Sequence, residues 1–177
     1  MGVRGYRVPP LKRIQIRGIA LALRDLLGVA TVARIDLGRL LEHKLEKADI
    51  SFDVVSRDAM GPDEARAWPD EHHLEIREDV YDNLHQDDPR SRFTIAHEIG
   101  HLVLHPGLSL ARGKAPATHR HFEDSEWQAD TFAAEFLMPV AIIQQCCSGV
   151  ADIESVCGVS MHAAQIRHRA VSREGLL

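Results

Sequence analysis

The chain of 177 residues has only three cysteines, no long apolar run and a formal net charge of just −5. An odd cysteine count in a chain without an export signal argues against a disulfide framework. The longest mainly apolar stretch, residues 14–27, is interrupted by Arg17, Arg24 and Asp25, so we expect no membrane-spanning helix. The first residues also lack the apolar core of a signal peptide. We therefore expect a cytoplasmic protein without a membrane partner.

The composition suits neither a disordered chain nor a protein that coats nucleic acid. It comprises 45% hydrophobic and 27% charged residues, with a pI near 6.1. These ordinary values argue against disorder, and the pI argues against binding nucleic acid over a broad basic surface. The length predicts a single domain over residues 1–177. Within it we expect a loose N-terminal segment over residues 1–10 and a helical closure of the core over residues 143–177.

The spacing of apolar residues predicts helices in both halves of the chain and strands between them. Predicted helices cover residues 11–27, 36–47, 89–105, 125–138 and 160–171. Predicted strands cover residues 50–55, 65–68 and 72–76. Because the strands do not alternate with the helices, the predicted fold class is α+β. We expect a compact domain with a small mixed or antiparallel sheet of about three strands packed on helices.

The residues most typical of chemistry form one run, RFTIAHEIGHLVLH, over residues 92–105. His97 and His101 are four apart, so on a helix they share a face and lie about 6 Å apart along the axis. Two imidazole nitrogens placed in this way can bind one zinc ion at about 2.0–2.1 Å each. Glu98 stands beside them, where a general base is needed to take a proton from the attacking water. The rest of the run is mainly apolar, so an acidic residue there would be costly without a role.

A short H-E-x-x-H motif also occurs by chance, so a third metal ligand has to be found elsewhere in the chain. His105 lies two turns beyond His97, about 12 Å along the helix axis, which is too far for a shared coordination sphere. His119 and His121 lie in a polar loop, from which they could reach many places. The remaining candidates are acidic and lie on the predicted helix over residues 125–138.

Glu126 and Asp130 share a face of this helix because they are four apart. Ser125 is the expected N-cap of the helix, with Gln128 as its partner in a capping box. Two carboxylates on a mostly apolar helix suggest one metal ligand and one supporting residue. We expect Glu126 to bind the zinc ion. We expect Asp130 to accept the free ring N–H of a ligand histidine, with His97 favoured, and so to fix its tautomer.

Residues 92–105, followed by the pattern E-x-x-A-D-x-F-A-A-E-F-L-M-P over residues 126–139, resemble the ImmA/IrrE family of zinc metallopeptidases. The resemblance covers roughly residues 30–142 and is specific in these two motifs. It implies a compact zincin-like fold whose active-site helix carries H-E-x-x-H, and one Zn²⁺ per chain with Glu126 as the third ligand. It also implies limited proteolysis of a helix-turn-helix repressor, often of Xre type and often encoded beside the peptidase. Some members act in toxin–antitoxin-like pairs.

These residues and this resemblance lead us to expect a zinc metalloendopeptidase that regulates transcription by limited proteolysis of a repressor. Glu98 is its expected catalytic base. A peptide substrate is expected to extend along an edge strand through main-chain hydrogen bonds, and the expected edge strand is residues 72–76. The candidate contacts on this strand are His72, Leu74 and Ile76. No motif places the residue that stabilises the oxyanion, for which the candidates are His119, His121 and Tyr81.

Two other classes of function stay open. Residues 153–169 contain a Gly-Val-Ser turn between helical segments and have a basic end, which weakly resembles a helix-turn-helix. The chain would then be a non-proteolytic metal-binding partner, or a toxin–antitoxin component that acts by protein or DNA binding. Closing the hydrophobic core is the commoner role for such a segment, so direct nucleic-acid binding is not favoured. A silent partner would also have no need of Glu98.

Overall fold

The computed structural model describes residues 5–107 and 119–177. In chain order its elements are α1 (Arg13–Leu26), α2 (Leu37–His43), a 3₁₀ turn (Leu45–Ala48), β1 (Ser51–Val55), α3 (Arg57–Met60), β2 (Ala65–Trp68), β3 (His73–Arg77), α4 (Glu78–His85), α5 (Pro89–Leu104), a second 3₁₀ turn (His121–Glu123), α6 (Ser125–Leu137), α7 (Val140–Cys146), α8 (Val150–Cys157) and α9 (Met161–Arg173). The predicted helix over residues 36–47 is divided between α2 and the first 3₁₀ turn. Within the described ranges, no helix combines the length and the apolar character needed to cross a membrane.

The sheet has three strands in the order β1-β3-β2. β1 pairs with β3 in parallel, with Ser51 opposite His73. β2 pairs with β3 in the antiparallel direction, with Ala65 opposite Ile76. The sheet is therefore mixed, and the helices around it confirm the predicted α+β class.

The prediction that residues 72–76 form an edge strand is wrong. β3 has a neighbouring strand on each side, and the side chains of Leu74 and Ile76 are fully buried. His72 precedes the strand in a left-handed conformation with φ of 48°. An alternating pattern identifies a strand but not its neighbours, and here β1 docks beside β3 in parallel. The edges of the sheet are therefore β1 and β2.

The helices α5 and α6 pack directly against each other, and α1 also packs on α6. α5 begins at Pro89, and the preceding Asp88 caps it by accepting the N–H of Ser91 at 2.7 Å. Gly100 allows the two helices to approach closely. A Cβ at this position would lie 3.1 Å from the ring of Phe132 and 3.2 Å from Cα of Ala129. Small residues therefore set the distance between α5 and α6.

The C-terminal residues 143–177 include the end of α7 together with α8 and α9, and they contribute to the core. Their fully or almost fully buried side chains include Ile143, Ile153, Cys157, Ala164 and Val171. Arg92 of α5, which is itself buried, donates to the main-chain carbonyls of Gly158 at 2.7 Å and Cys157 at 3.1 Å. Side chains from this part of the chain therefore lie in the core, and its main chain is tied to the start of α5.

A loose segment was predicted over residues 1–10. Residues 1–4 lie outside the described part of the chain, and residues 5–10 are held by hydrogen bonds rather than loose. They run beside the turn before α6. The hydrogen bonds that join the two segments include those from Val8 N–H to Glu123 O (2.8 Å), from Ser125 N–H to Tyr6 O (3.0 Å) and from Gly5 N–H to Asp124 Oδ2 (3.1 Å). Because their partners are far away in sequence, no local pattern could have indicated this order.

Candidate metal centre

Three potential metal-binding groups from two helices meet at one point. His97 and His101 project from consecutive turns of α5, and their Nε2 atoms are 3.0 Å apart. Glu126 projects from the first turn of α6, with Oε2 3.2 Å from Nε2 of His97 and Oε1 3.4 Å from Nε2 of His101. In residues 5–107 and 119–177, no other group of three or more His, Cys, Asp or Glu side chains brings its ligand atoms close enough together to hold one metal ion.

The distances between these atoms fit a zinc ion. Ligand atoms placed about 2.0–2.1 Å from a tetrahedral zinc ion lie about 3.3 Å from one another. The distances between the three side chains, 3.0, 3.2 and 3.4 Å, are close to that value. Three protein ligands of the imidazole and carboxylate type are also the set found in catalytic zinc sites, which keep the fourth position open.

The charges around this point favour a cation. Hydrogen bonds with His101 and His97 hold the pKa of Glu126 well below its usual range. Burial lowers the pKa of His97, but its hydrogen bonds to Asp130 and Glu126 outweigh burial and raise that pKa to about 10. Both shifts mean that acidic oxygens favour positive charge where the three side chains meet. A divalent ion can supply this charge in place of protons.

Asp130 lies behind His97, one turn beyond Glu126 on α6. Its Oδ1 accepts a hydrogen bond from Nδ1 of His97 at 2.9 Å. Because Asp130 holds the proton on Nδ1, Nε2 is the ring nitrogen of His97 left for a metal ion, which would replace any proton that Nε2 carries. The contact expected from the sequence between Asp130 and His97 is therefore present.

His105 supports His101 in a way that sequence reasoning missed. It lies one turn further along α5, and its Nδ1 is 3.1 Å from Nδ1 of His101. Its Nε2 is 3.1 Å from Oε1 of Gln128, and both residues are buried. Burial, followed by the nearby His101, lowers the pKa of His105 to about 4. The four-residue spacing between His101 and His105 is the signal that could have revealed this contact.

Gln128 and Ser125 do not form the predicted capping box. The N-cap of α6 is Asp124, whose Oδ1 accepts the N–H of Trp127 at 2.9 Å. The hydroxyl of Ser125 instead accepts a main-chain N–H from the N-terminal segment at 3.0 Å. Aspartate and serine are equally good N-caps, so the sequence alone could not decide between two adjacent ones. Gln128 is thus free to face His105.

Glu98 lies on α5 beside the two histidines but faces the sheet. Its Oε2 accepts the main-chain N–H of Ala67 in β2 at 2.9 Å. Burial raises the pKa of Glu98 above the usual value for a glutamate. Its carboxylate is therefore a stronger base than an exposed one, and a main-chain group of β2 holds it in place.

The outer edge of β2 presents main-chain groups to this side of the molecule. Glu64 O accepts the N–H of Arg77 at 3.1 Å, which identifies these two residues as a hydrogen-bonded pair of the ladder. In an antiparallel pair the intervening residues, Ala65 and Ala67, direct their N–H and C=O groups away from the partner strand. The bond from Ala67 N–H to Glu98 shows the same direction. Glu98 occupies the N–H of Ala67, while the N–H and C=O of Ala65 and the C=O of Ala67 point outward from β2 on the same side.

Two cavities adjoin one another along α5. The first, of about 370 Å³, is lined by residues that include Ala65, His97 and Glu98. The second, of about 390 Å³, shares Phe93, Thr94 and Asp130 with the first. Its other wall is largely apolar and comes from α6 and α9, with Ala134, Met138, Ala163 and Ile166. A groove therefore leads from Glu98 to an apolar recess.

The three candidates for stabilising an oxyanion make other contacts in the part of the chain that the structure describes. His119 is buried at its side chain, and its Nε2 is 2.9 Å from the carboxylate of Asp124. His121 packs edge-on against Trp127 with ring centroids 4.9 Å apart. Tyr81 donates to Glu42 at 2.7 Å, and this hydrogen bond raises the pKa of Tyr81 to about 12. Among the described residues, none of these three side chains forms a hydrogen bond or an ion pair with His97, His101 or Glu126.

Comparison with solved structures supports the fold. Eight chains of solved structures are similar, among them a Mycobacterium tuberculosis transcriptional regulator with a TM-score of 0.51 and 14% sequence identity. The alignment covers 87% of this chain and 51% of that chain, so this chain spans about half the length of that structure. At this identity the likeness concerns the fold alone.

Sequence comparison identifies the family. No curated protein matches the chain. The profile of the Peptidase M78 family, described as the IrrE N-terminal-like domain, matches residues 41–169. This match covers more than half of the 177 residues, and it includes both helices that carry the candidate metal centre. The chain therefore belongs to the ImmA/IrrE family of metallopeptidases.

Proposed function

We propose that the protein is a zinc-dependent endopeptidase in which His97, His101 and Glu126 hold the ion. The observation that carries this proposal is the meeting of the three side chains at distances of 3.0, 3.2 and 3.4 Å. Membership of a metallopeptidase family supports it. A zinc ion bound there would supply Lewis acidity, which polarises a peptide carbonyl and lowers the pKa of a nearby water.

Glu98 is the general base of the proposed reaction. Its carboxylate takes a proton from the attacking water and passes it to the nitrogen of the leaving amine. The N–H of Ala67 holds one carboxylate oxygen at 2.9 Å, and the other oxygen stays available for the proton. The raised pKa of Glu98 suits this role, because the carboxylate must hold the proton between the two transfers.

The peptide substrate extends along β2 rather than along β3. Ala65 and Ala67 direct main-chain groups outward, and the cavity of about 370 Å³ lies between this strand and α5. Addition of a strand to such an edge supplies affinity through main-chain hydrogen bonds, while alternate side chains enter pockets. A peptide bound in this way passes beside Glu98 and His97.

One of these pockets is the apolar recess of about 390 Å³ between α5, α6 and α9. It adjoins the cavity beside Glu98, because Phe93, Thr94 and Asp130 line both. A large apolar side chain near the cleaved bond fits this recess, since burial removes its surface from water. The recess therefore favours substrates with an apolar residue next to the cleavage site.

The proposed substrate is a helix-turn-helix repressor of Xre type, encoded beside the peptidase. The family resemblance supports this choice, and a similar fold occurs in a solved transcriptional regulator. Such a repressor acts in the cytoplasm, which is also the proposed location of this protein.

Direct DNA binding by α8 and α9 has less support. A recognition helix uses exposed basic residues to reach the bases and phosphates of DNA. Arg167 of α9 is instead fully buried, and it donates two hydrogen bonds of 2.6 Å to Glu135 of α6. Ala164 and Val171 of α9 are also buried in the core. These contacts favour a structural role for α9.

The proposal is tested by incubating the zinc-loaded protein with the repressor encoded beside it. We expect cleavage at one or a few bonds, mapped by mass spectrometry, and no cleavage by the Glu98→Gln variant, which should still bind zinc. Full activity of that variant would exclude Glu98 as the base. Failure of the wild-type protein to bind zinc would refute the metal centre. Cleavage of unrelated peptides without cleavage of the repressor would reject the substrate and keep the peptidase.

A further inference from the structure

We propose that His105 and Gln128 are positioning residues, which keep the Nε2 lone pair of His101 available for the metal. The proposal rests on the proposed metal centre, although its first steps concern only hydrogen bonds within the chain. Gln128, His105 and His101 form a row of contacts at distances of 3.1 Å each. The direction of each hydrogen bond in this row follows from the one before it.

The orientation of the Gln128 side-chain amide determines which group donates in the first of these hydrogen bonds. Its side-chain Nε2 donates to the main-chain carbonyl oxygens of Pro9 at 2.9 Å and Phe122 at 2.8 Å. A carbonyl oxygen only accepts, so the amide cannot be turned over, because its own oxygen would then face both carbonyls. The oxygen of the Gln128 amide is therefore the atom that meets Nε2 of His105.

The position of the proton on His105 determines which nitrogen of His101 carries a proton. Because the amide oxygen of Gln128 only accepts, Nε2 of His105 carries a proton. His105 is only 1% exposed and contacts an uncharged amide and another imidazole, so a charged ring would be costly there. A neutral imidazole protonated on Nε2 has an acceptor at Nδ1. The facing Nδ1 of His101, 3.1 Å away, must then donate.

The result is a defined tautomer of His101, with the proton on Nδ1 and a lone pair on Nε2. This Nε2 atom lies 3.0 Å from Nε2 of His97 and 3.4 Å from Glu126. In the opposite tautomer, His101 would present an N–H group to this point and could not bind an ion. Asp130 has the same effect on His97. Two different partners, one charged and one neutral, thus hold both histidines in the tautomer that binds metal.

Zinc affinity tests the roles of the two residues. His105→Phe keeps a ring and removes both nitrogens, while Gln128→Met keeps the length and removes the amide. We expect each to weaken zinc binding about 10–100-fold in competition with a chromogenic chelator. His43→Phe, at an exposed position of α2, is the matched control and should leave the affinity unchanged.

Nitrogen-15 NMR of the imidazole rings reads the tautomers directly in the metal-free protein. We expect a proton on Nε2 and none on Nδ1 of His105, and a proton on Nδ1 of His101. Gln128→Met should allow the reverse tautomer of His105. A proton on Nδ1 of His105 in the wild type would overturn the proposal, as would wild-type zinc affinity in both disrupting variants. The wild-type spectrum alone decides where a variant fails to fold.

These two readouts separate the positioning role from the proposed function. The tautomers are read without zinc and without a substrate. A chain that bound no zinc would refute the metal centre, and the spectrum would still show whether the hydrogen bonds run in the inferred direction. A chain that bound zinc but cleaved no protein would refute the peptidase, and the zinc affinities would still test His105 and Gln128.

Discussion

The distance between α5 and α6 can be changed at Gly100 without altering any side chain that faces the metal centre. An added Cβ there would lie 3.1 Å from the ring of Phe132 and 3.2 Å from Cα of Ala129. Both distances are shorter than ordinary van der Waals contacts, and the Ala129 atom is main chain, which cannot rotate away. The Gly100→Ala substitution must therefore displace α6 from α5 by a few tenths of an ångström.

Two opposite effects decide the stability of Gly100→Ala. Alanine in a helix interior is favoured over glycine by about 1 kcal/mol. Overpacking a well-packed interface costs about 1–3 kcal/mol. Because a main-chain atom blocks the new methyl group, we expect overpacking to dominate, with a loss of up to about 2 kcal/mol in the free energy of unfolding. The same displacement moves Glu126 away from His97 and His101, so we also expect weaker zinc binding.

Gly18→Ala is the matched control, because Gly18 lies inside α1 and an added Cβ would meet nothing within 4 Å. We expect this variant to gain about 0.5–1 kcal/mol and to keep its zinc affinity. Urea unfolding of the metal-free proteins measures the first effect, and competition with a chelator measures the second. If Gly100→Ala gains as much stability as the control and binds zinc like the wild type, the reasoning about the interface is refuted.

The remaining predictions concern the metal ligands, a buried ion pair and the edge strand. Glu126→Ala should lower the zinc content of the dialysed protein in elemental analysis, and an unchanged content would show that another residue is the third ligand. Arg167→Ala should cost near the lower end of about 3–5 kcal/mol in urea unfolding, because the fully buried Glu135 loses one of its two arginine partners and keeps Arg17, which donates to it at 2.9 and 3.1 Å. A loss well below that range would show that other groups compensate the carboxylate. Burial raises the pKa of Glu135, but hydrogen bonds, above all to Arg167, outweigh burial and lower it below 4.5. Its contribution to stability is therefore complete above pH 4.5 and is lost as the pH falls through the lower folded pKa, so the stability advantage over Glu135→Gln should shrink in acid. Ala67→Pro removes the N–H that holds the general base, and a lower kcat at unchanged zinc affinity is the expected result. Unchanged kcat would show that this N–H does not position the base.

The parts of the fold that could be predicted are those whose signals are local. The start of α5 lies at residue 89, as predicted, and its local cause is a proline at the first helical position that follows the capping Asp88. The helix was found over Pro89–Leu104, one residue shorter than predicted. The contact between Asp130 and His97 also followed from spacing, since residues four apart on a helix share a face.

The parts that could not be predicted depend on contacts between distant segments. The central position of β3 depends on β1 docking beside it, which the pattern of residues 72–76 does not encode. The role of Gln128 depends on the carbonyl of Pro9, which is 119 residues earlier in the chain. Residues 5–10 are likewise held in place by hydrogen bonds to residues 123–125, which are distant in the sequence. Local sequence patterns predict elements, whereas the neighbours of each element follow from the packing of the whole chain.

The two supports of the metal centre differ in charge, and this difference bears on its chemistry. Glu126 and Asp130 together carry two negative charges, which balance the charge of a divalent ion. A carboxylate behind a ligand histidine makes the imidazole a stronger electron donor, which would reduce the Lewis acidity of an ion bound there. His105 and Gln128 orient His101 without adding a third charge. A neutral support would therefore keep His101 oriented without lowering the Lewis acidity that the proposed peptide hydrolysis needs.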